Sequence, residues 1–273
     1  NKKNKRVFIM KKYIVIGNPI EHSLSPKLHN YWIKENNIDA VYDKKRIDHS
    51  ELENIIFEVK EGKISGINVT VPFKKAAIPF LDELSNEANK TQSVNTIYLN
   101  NGKIIGHNTD VAGFELAIKY LKYNINNKRI FILGAGGVVP SIIFSLNKMQ
   151  PSKIILSNRT RDKAENLKEL FKNVEIINWG EMPDFDMIIN ATSLGLKKED
   201  EIKLDISNVG NNKIFYDVIY NPIETNFLKK AKNLGHRVEN GKMMFVYQAH
   251  QAFTLWHKVM PKIDSETIKL LDQ

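Results

Sequence analysis

Ser23 and Ser25 flank Leu24 within "GNPIEHSLSPKLHN", residues 17–30, a stretch that also holds two prolines and two histidines and follows a short apolar run. A serine directly before a proline reads as a helix start, with Ser25 as the cap and Pro26 at the first helical position. Helix N-termini attract anions because their first N–H groups lack partners, so two nearby hydroxyls make the stretch a candidate carboxylate clamp. Taken locally, the simpler reading is that Ser25 caps and Ser23 braces the loop. Further on, "GINVTVPFKK" (66–75) is a strand running into a proline turn, which puts Thr70 and Lys74 at a strand's carboxyl end, the usual ligand edge of an open α/β sheet. "SVNT" adds Asn95 and "GHNTD" adds Asp110. Lysine, threonine, asparagine and aspartate form a polar set suited to a hydroxylated ligand; a Lys–Asp pair is equally the makings of a structural salt bridge.

A second constellation lies at "ILGAGGVVPS", residues 132–141. Gly134, Gly136 and Gly137 fall between a strand and a helix, where glycines permit a tight turn and let backbone N–H groups approach a pyrophosphate. The next strand ends in "SNRTRDK", which offers Asn158, Arg159 and Thr160, with Arg161 and Lys163 close by. An NAD site usually presents a carboxylate there for the ribose hydroxyls. A guanidinium instead suits a 2′-phosphate, so the pattern favours NADP over an ordinary exposed basic turn.

The elements that must position these residues alternate between strand and helix almost throughout, the signature of an α/β protein with mainly parallel sheets. Strands are expected near 12–16, 41–46 and 66–71, with helices over 26–35 and 50–60. A hairpin follows, "SVNTIYL" and "KIIGH" around Asn100, Asn101 and Gly102, and then a helix capped by Thr109 or Asp110. Past a boundary near Asp110, a second unit carries the glycine turn, the strands "KIILSN", "FDMIINA" and "KIFYDVI", and a helix over 161–171. Val246, Ala249, Phe253, Trp256 and Met260 recur at spacings of three and four, which predicts an amphipathic helix with a core-packing stripe.

Composition narrows the function classes. With 273 residues and 42% hydrophobic content the chain can bury the cores of about two domains. It has no cysteine, which excludes disulfides, thiolate nucleophiles and cysteine-bound zinc. The formal charge of +9 invites a nucleic-acid reading, yet the lysines are scattered in small groups, as on a solvated surface. The uncharged run 130–147 is broken by glycines and Pro140, and the apolar segment 7–10 is too short for a signal peptide. A cytoplasmic protein is expected, with Met10 as its natural start and with neither membrane nor nucleic acid as a partner.

The motifs "GNPIEHSLSPKLHN", "GINVTVPFK", "SVNT", "GHNTDVAGF", "GAGG", "NRT", "NATSLG", "DVIYNP" and "MMFVYQAHQAFTLW" occur in this order and cover nearly the whole chain beyond Met10. Together they resemble the shikimate dehydrogenase family. The resemblance implies two α/β domains: an N-terminal substrate domain with a mainly parallel sheet (10–109) and a Rossmann-like NADP-binding domain (110–241). C-terminal helices (242–273) would return to the first domain. It implies reversible NADPH-dependent reduction of 3-dehydroshikimate, a small-molecule substrate; that chemistry requires no metal, and a monomer or a homodimer would both fit. Ser23, Ser25 and Tyr220 would hold the substrate carboxylate, and Thr70, Asn95, Asp110 and Gln248 the ring hydroxyls or reacting oxygen. Lys74 and Asp110 would be the acid–base pair. Gly134, Gly136, Gly137, Asn158, Arg159, Thr160 and Lys163 would bind NADP, with Val218 and Gly241 near the nicotinamide. Val139 and Lys163 stand where the family more often has a small residue and an arginine. The alternatives are a sister enzyme that also oxidises quinate, often with NAD, and, from a different class, a catalytically silent NADP-binding regulator or a nucleic-acid binder.

Overall fold

The computed structural model describes residues 10–272; the expectation that Met10 is the natural start concerns residues 1–9, outside those described. The first sheet and the helices around it are β1 (Lys11–Gly17), α1 (Ser25–Glu35), β2 (Ala40–Arg46), α2 (Leu52–Lys60), β3 (Gly66–Val69), β4 (Glu83–Leu84), α3 (Asn86–Thr91), β5 (Thr96–Asn100) and β6 (Lys103–His107). Its strand order is β2-β1-β3-β5-β6-β4, with β5 antiparallel to both neighbours and the other pairings parallel. The hairpin turn between β5 and β6 is Asn101–Gly102, both at positive φ (50° and 75°), the geometry that matches the twist of its strands.

Helix α4 (Asp110–Tyr120) leads into the second sheet. The unit around that sheet comprises β7 (Arg129–Leu133), α5 (Val139–Lys148), β8 (Lys153–Ser157), α6 (Arg161–Leu170), β9 (Val174–Ile176), β10 (Met187–Asn190), β11 (Ile214–Asp217), α7 (Asn226–Asn233) and β12 (Arg237–Glu239). All its pairings are parallel, in the order β12-β11-β10-β7-β8-β9. The chain therefore winds outward from β7 in both directions, and the crevice where the order reverses lies between the ends of β7 and β10. Ile130 to Leu133 are all fully buried, as a strand covered on both faces requires.

After β12 the chain returns to the first sheet through α8 (Lys242–His257) and α9 (Ser265–Lys269). Val246, Ala249 and Phe253 enter the cluster formed by Tyr13, Val15, Leu28 and Trp32, where each large side chain contributes about 1.5–3 kcal/mol by leaving water. Gly113 lets α4 and α8 cross closely: a Cβ there would lie 3.0 Å from the Met244 carbonyl and the Gln248 nitrogen. The expected stripe is one turn too long. The helix stops at His257 because Lys258 takes a left-handed conformation, and Met260 is 73% exposed. Two further corrections concern helix starts. Ser25 is already helical, and it is the Ser23 hydroxyl that accepts its N–H, at 3.3 Å. Neither the Thr109 nor the Asp110 side chain caps α4; the Asn108 side-chain oxygen Oδ1 accepts the Asp110 N–H at 3.0 Å. No helix among the described residues is long and apolar enough to cross a membrane.

Behind β1, the His29 ring is buried and stacked on Tyr42 at 4.2 Å, and neither of its nitrogens finds a partner among the described residues. Burial pushes its pKa down to about 3. The unfolded chain binds a proton below about 6.5 while the folded chain refuses it, so stability is complete above that pH and falls as the medium is acidified. Each pH unit lost below about 6.5 removes about 1.4 kcal/mol through His29. Urea midpoints should drop steadily between pH 6.5 and pH 4.5, and His29→Phe should flatten that slope; an equal slope in the variant would contradict this account.

Candidate active site

Two cavities meet between the sheets. The first, about 350 Å³, opens at the carboxyl ends of β1 and β3. The second, about 780 Å³, follows the carboxyl ends of β7, β8, β10 and β11. Both are lined by His22, Thr70, Lys74, Val138, Val218 and Tyr220, so those residues mark where molecules in the two cavities would touch.

At that junction Lys74 donates to Asp110, Nζ to Oδ2, at 2.7 Å, with the two side chains only 13% and 9% exposed. Lys74 is carried by the turn after β3 and fixed by its own carbonyl, which accepts the Val94 N–H at 2.8 Å. Asp110 sits in the first turn of α4, where the helix end favours a carboxylate. Asn95 is held rigidly: its Oδ1 accepts from the Thr109 N–H (2.8 Å) and the Thr96 hydroxyl (3.0 Å), and its amide donates to the Thr109 hydroxyl (2.8 Å). One amide hydrogen is left over for the cavity. Gln248, on α8, donates to the Phe245 carbonyl (2.9 Å), which leaves its oxygen available.

Ser23 and Ser25 also line the first cavity, as does Tyr220, whose ring stacks on Phe245 at 4.5 Å. Burial raises the Tyr220 pKa, so its hydroxyl stays protonated and serves as a donor. The first cavity thus gathers hydroxyl donors and a Lys–Asp pair. Such a site orients a small hydroxylated acid and delivers a proton to an oxygen of it.

The second cavity suits a dinucleotide. Gly134 holds φ 114° and lies so close to the next loop that a Cβ would stand 2.9 Å from the Ala191 carbonyl, whereas nothing lies within 4 Å of a Cβ on Gly136. The glycine turn is therefore tight on its sheet side and open on its cleft side, as a pyrophosphate cradle must be. Asn158, Arg159, Thr160 and Lys163 line the far end, with the Asn158 amide bound to the Thr160 carbonyl at 2.8 Å. Arg161 is engaged elsewhere, with Glu165 and Asn178, and is not part of the lining. Val139 is wholly buried in the core of this domain. Gly241 lines the first cavity beside Val218, and a Cβ there would sit 1.9 Å from the Val218 carbonyl, so only glycine fits.

Every site residue expected from the sequence thus borders one of the two cavities. Asn68 and His22 do so too, and the sequence reading passed over both. Asn68 faces the first cavity; it accepts from the Tyr42 hydroxyl (2.6 Å) and donates to the Asn95 carbonyl (3.0 Å). The alternation of β3 could have flagged it, since Asn68 is a polar residue between the apolar Ile67 and Val69 on a fully buried strand.

Known proteins share this fold and much of this sequence. Residues 15–97 match the family model described as the shikimate dehydrogenase substrate binding domain, and residues 115–206 match that of shikimate / quinate 5-dehydrogenase. The shikimate dehydrogenase (NADP(+)) of Pelagibacter ubique is 62% identical over 96% of this chain and 99% of its own length. Among solved structures, shikimate dehydrogenase from Aquifex aeolicus superposes with a TM-score of 0.87 at 36% identity, covering 96% of this chain and 97% of the other. Shikimate 5-dehydrogenase from Thermus thermophilus, solved in complex with NADP(H) and shikimate, gives 0.87 at 29% identity over 96% and 98% of the two chains.

Proposed function

Because the chain belongs to the shikimate dehydrogenase family, we infer that it catalyses the reversible NADPH-dependent reduction of 3-dehydroshikimate to shikimate, a step of aromatic amino-acid biosynthesis. The observation that carries this reading is the shielded Lys74–Asp110 pair at the line where the two cavities share walls. We assign residues 10–109 to substrate binding, 110–241 to NADP binding and 242–273 to helices that complete the substrate cavity, and we place the enzyme in the cytoplasm.

NADP fits the second cavity by the open face of Gly136 and the cationic far end, and when bound as NADPH it supplies the hydride. The chain's own residues do the rest. Ser23, Ser25 and Tyr220 hold the substrate carboxylate by hydroxyl donation, which fixes the ring in one orientation. Thr70, Asn95 and Gln248 take the ring hydroxyls. Lys74 faces the carbonyl that is reduced, stabilises the negative charge that grows on its oxygen, and gives that oxygen a proton. Asp110 holds the ammonium in place and accepts from the neighbouring hydroxyl. The backbone around Val218, pressed against Gly241, shapes the wall beside the nicotinamide.

Arg159, Lys163 and Asn158 would discriminate NADP from NAD through the 2′-phosphate. Arg159→Ala should raise the KM for NADP⁺ about tenfold or more, the worth of a charge-assisted hydrogen bond, and leave the KM for NAD⁺ unchanged; equal losses with both cofactors would refute this role. The function itself is tested by calorimetric titration with NADP⁺ and NAD⁺ in parallel, and then with shikimate and quinate. Tight NADP⁺ binding and selective uptake of shikimate are expected. A preference for NAD⁺ or quinate would move the chain to the quinate-oxidising sister group.

A further inference from the structure

We propose that Asp217 is a positioning residue for the cofactor, an acceptor-only anchor that fixes the two loops forming the floor of the NADP cleft. The proposal rests on the reading of that cleft as the NADP site. Asp217 ends β11 and Asn190 ends β10, and the two are partners in the sheet register. Both are completely buried. Residues 191–194 follow one and residues 218–221 follow the other, and both loops line the cleft.

Three neutral donors converge on the Asp217 carboxylate. Its Oδ1 accepts the Ile219 N–H at 3.0 Å and its Oδ2 accepts the Thr225 hydroxyl at 2.7 Å. The Asn190 amide reaches both oxygens, at 3.2 and 3.3 Å. The same amide donates to the Leu194 carbonyl at 3.0 Å, while the Asn190 oxygen accepts the Thr192 N–H (3.0 Å) and hydroxyl (2.6 Å). One carboxylate therefore ties the turn after β11 directly, and the turn after β10 through Asn190. The loops also touch: a Cβ on Gly195 would meet both Ile219 and Thr225 at 3.1 Å.

The chemistry explains why a carboxylate stands here. With donors on every side, an amide at position 217 would turn its own N–H groups against one of them and leave a buried donor unpaired. Burial raises the Asp217 pKa to about 6, and the groups that counter the rise, Thr225, Ile219 and Asn190, are all neutral. A buried charge held without a cation is a costly way to fill a core, and what it secures is the shape of the surface on which the nicotinamide half would lie.

Two variants and a rescue test this. Asp217→Asn and Thr225→Val should each weaken NADP⁺ binding, read by calorimetry, by about tenfold or more. Because Tyr220 rides on the same loop, shikimate's KM at saturating NADP⁺ should rise by a smaller factor than NADP⁺ affinity falls, and Thr225→Ser, which keeps the hydroxyl, should restore wild-type affinity. Should Asp217→Asn fail to fold, the Thr225 pair alone decides. Unchanged NADP⁺ affinity in folded variants, or parallel loss of NADP⁺ and shikimate with no rescue by serine, would overturn the proposal. If the wild-type chain failed to bind NADP⁺, the cofactor reading would fall and the proposal with it.

Discussion

Lys74→Ala lowers turnover about a hundredfold to ten-thousandfold, the range spanned by a positioned general acid, and changes the affinity for shikimate little. The ammonium is shielded from water and held 2.7 Å from one carboxylate oxygen, so it is already aimed and loses little entropy in the reaction. In the proposed mechanism its contact would be with an oxygen whose charge grows only in the transition state, and an interaction of that kind appears in kcat rather than in binding. The proposed carboxylate clamp of Ser23, Ser25 and Tyr220 is formed by other side chains of the same cavity, which the change leaves in place. Initial rates over a range of shikimate concentrations, with binding measured separately, decide the point. Near-normal turnover in the folded variant would remove Lys74 from the mechanism.

Asp110→Asn lowers turnover about a hundredfold, and adding it to Lys74→Ala costs almost nothing more. Asp110 acts chiefly by holding the lysine, so once the lysine is gone most of its contribution has gone too. Groups in direct contact are where additivity fails, and the double variant measures that failure. The helix start should survive the substitution, because the Asn108 oxygen, not the Asp110 side chain, accepts the first N–H of α4. Equal thermal transitions in the single and double variants would show this. Multiplicative losses would mean that the two residues act independently, which the shared hydrogen bond does not allow.

The sequence revealed the two-domain plan because its signals are strong and local. Apolar runs mark β7, β8, β10 and β11, the glycine turn follows β7, and Asn101–Gly102 closes its hairpin. Strands of two or three residues, such as β4, β9 and β12, are too short to show a period, and the short helices α3 and α9 carry no long apolar stripe. Ends were misplaced where one residue's conformation decides them. The spacing of three and four ran on to Met260, but Lys258 had already turned left-handed. Near the active site the same division holds. The motifs point to Ser23, Thr70 and Lys74, whereas the part played by Asn68 depends on Tyr42, 26 residues away and on another strand. Arg159 and Arg161 look equivalent in "SNRTRDK", and only the fold shows Arg161 turned toward Glu165 and Asn178.

The measurement that tests the central claim most directly is the absorbance of reduced nicotinamide as the purified wild-type chain is given shikimate and NADP⁺. The account predicts NADPH formation that requires shikimate, is far slower with NAD⁺, and almost vanishes in Lys74→Ala. A folded chain that binds both molecules and yet forms no NADPH would contradict it.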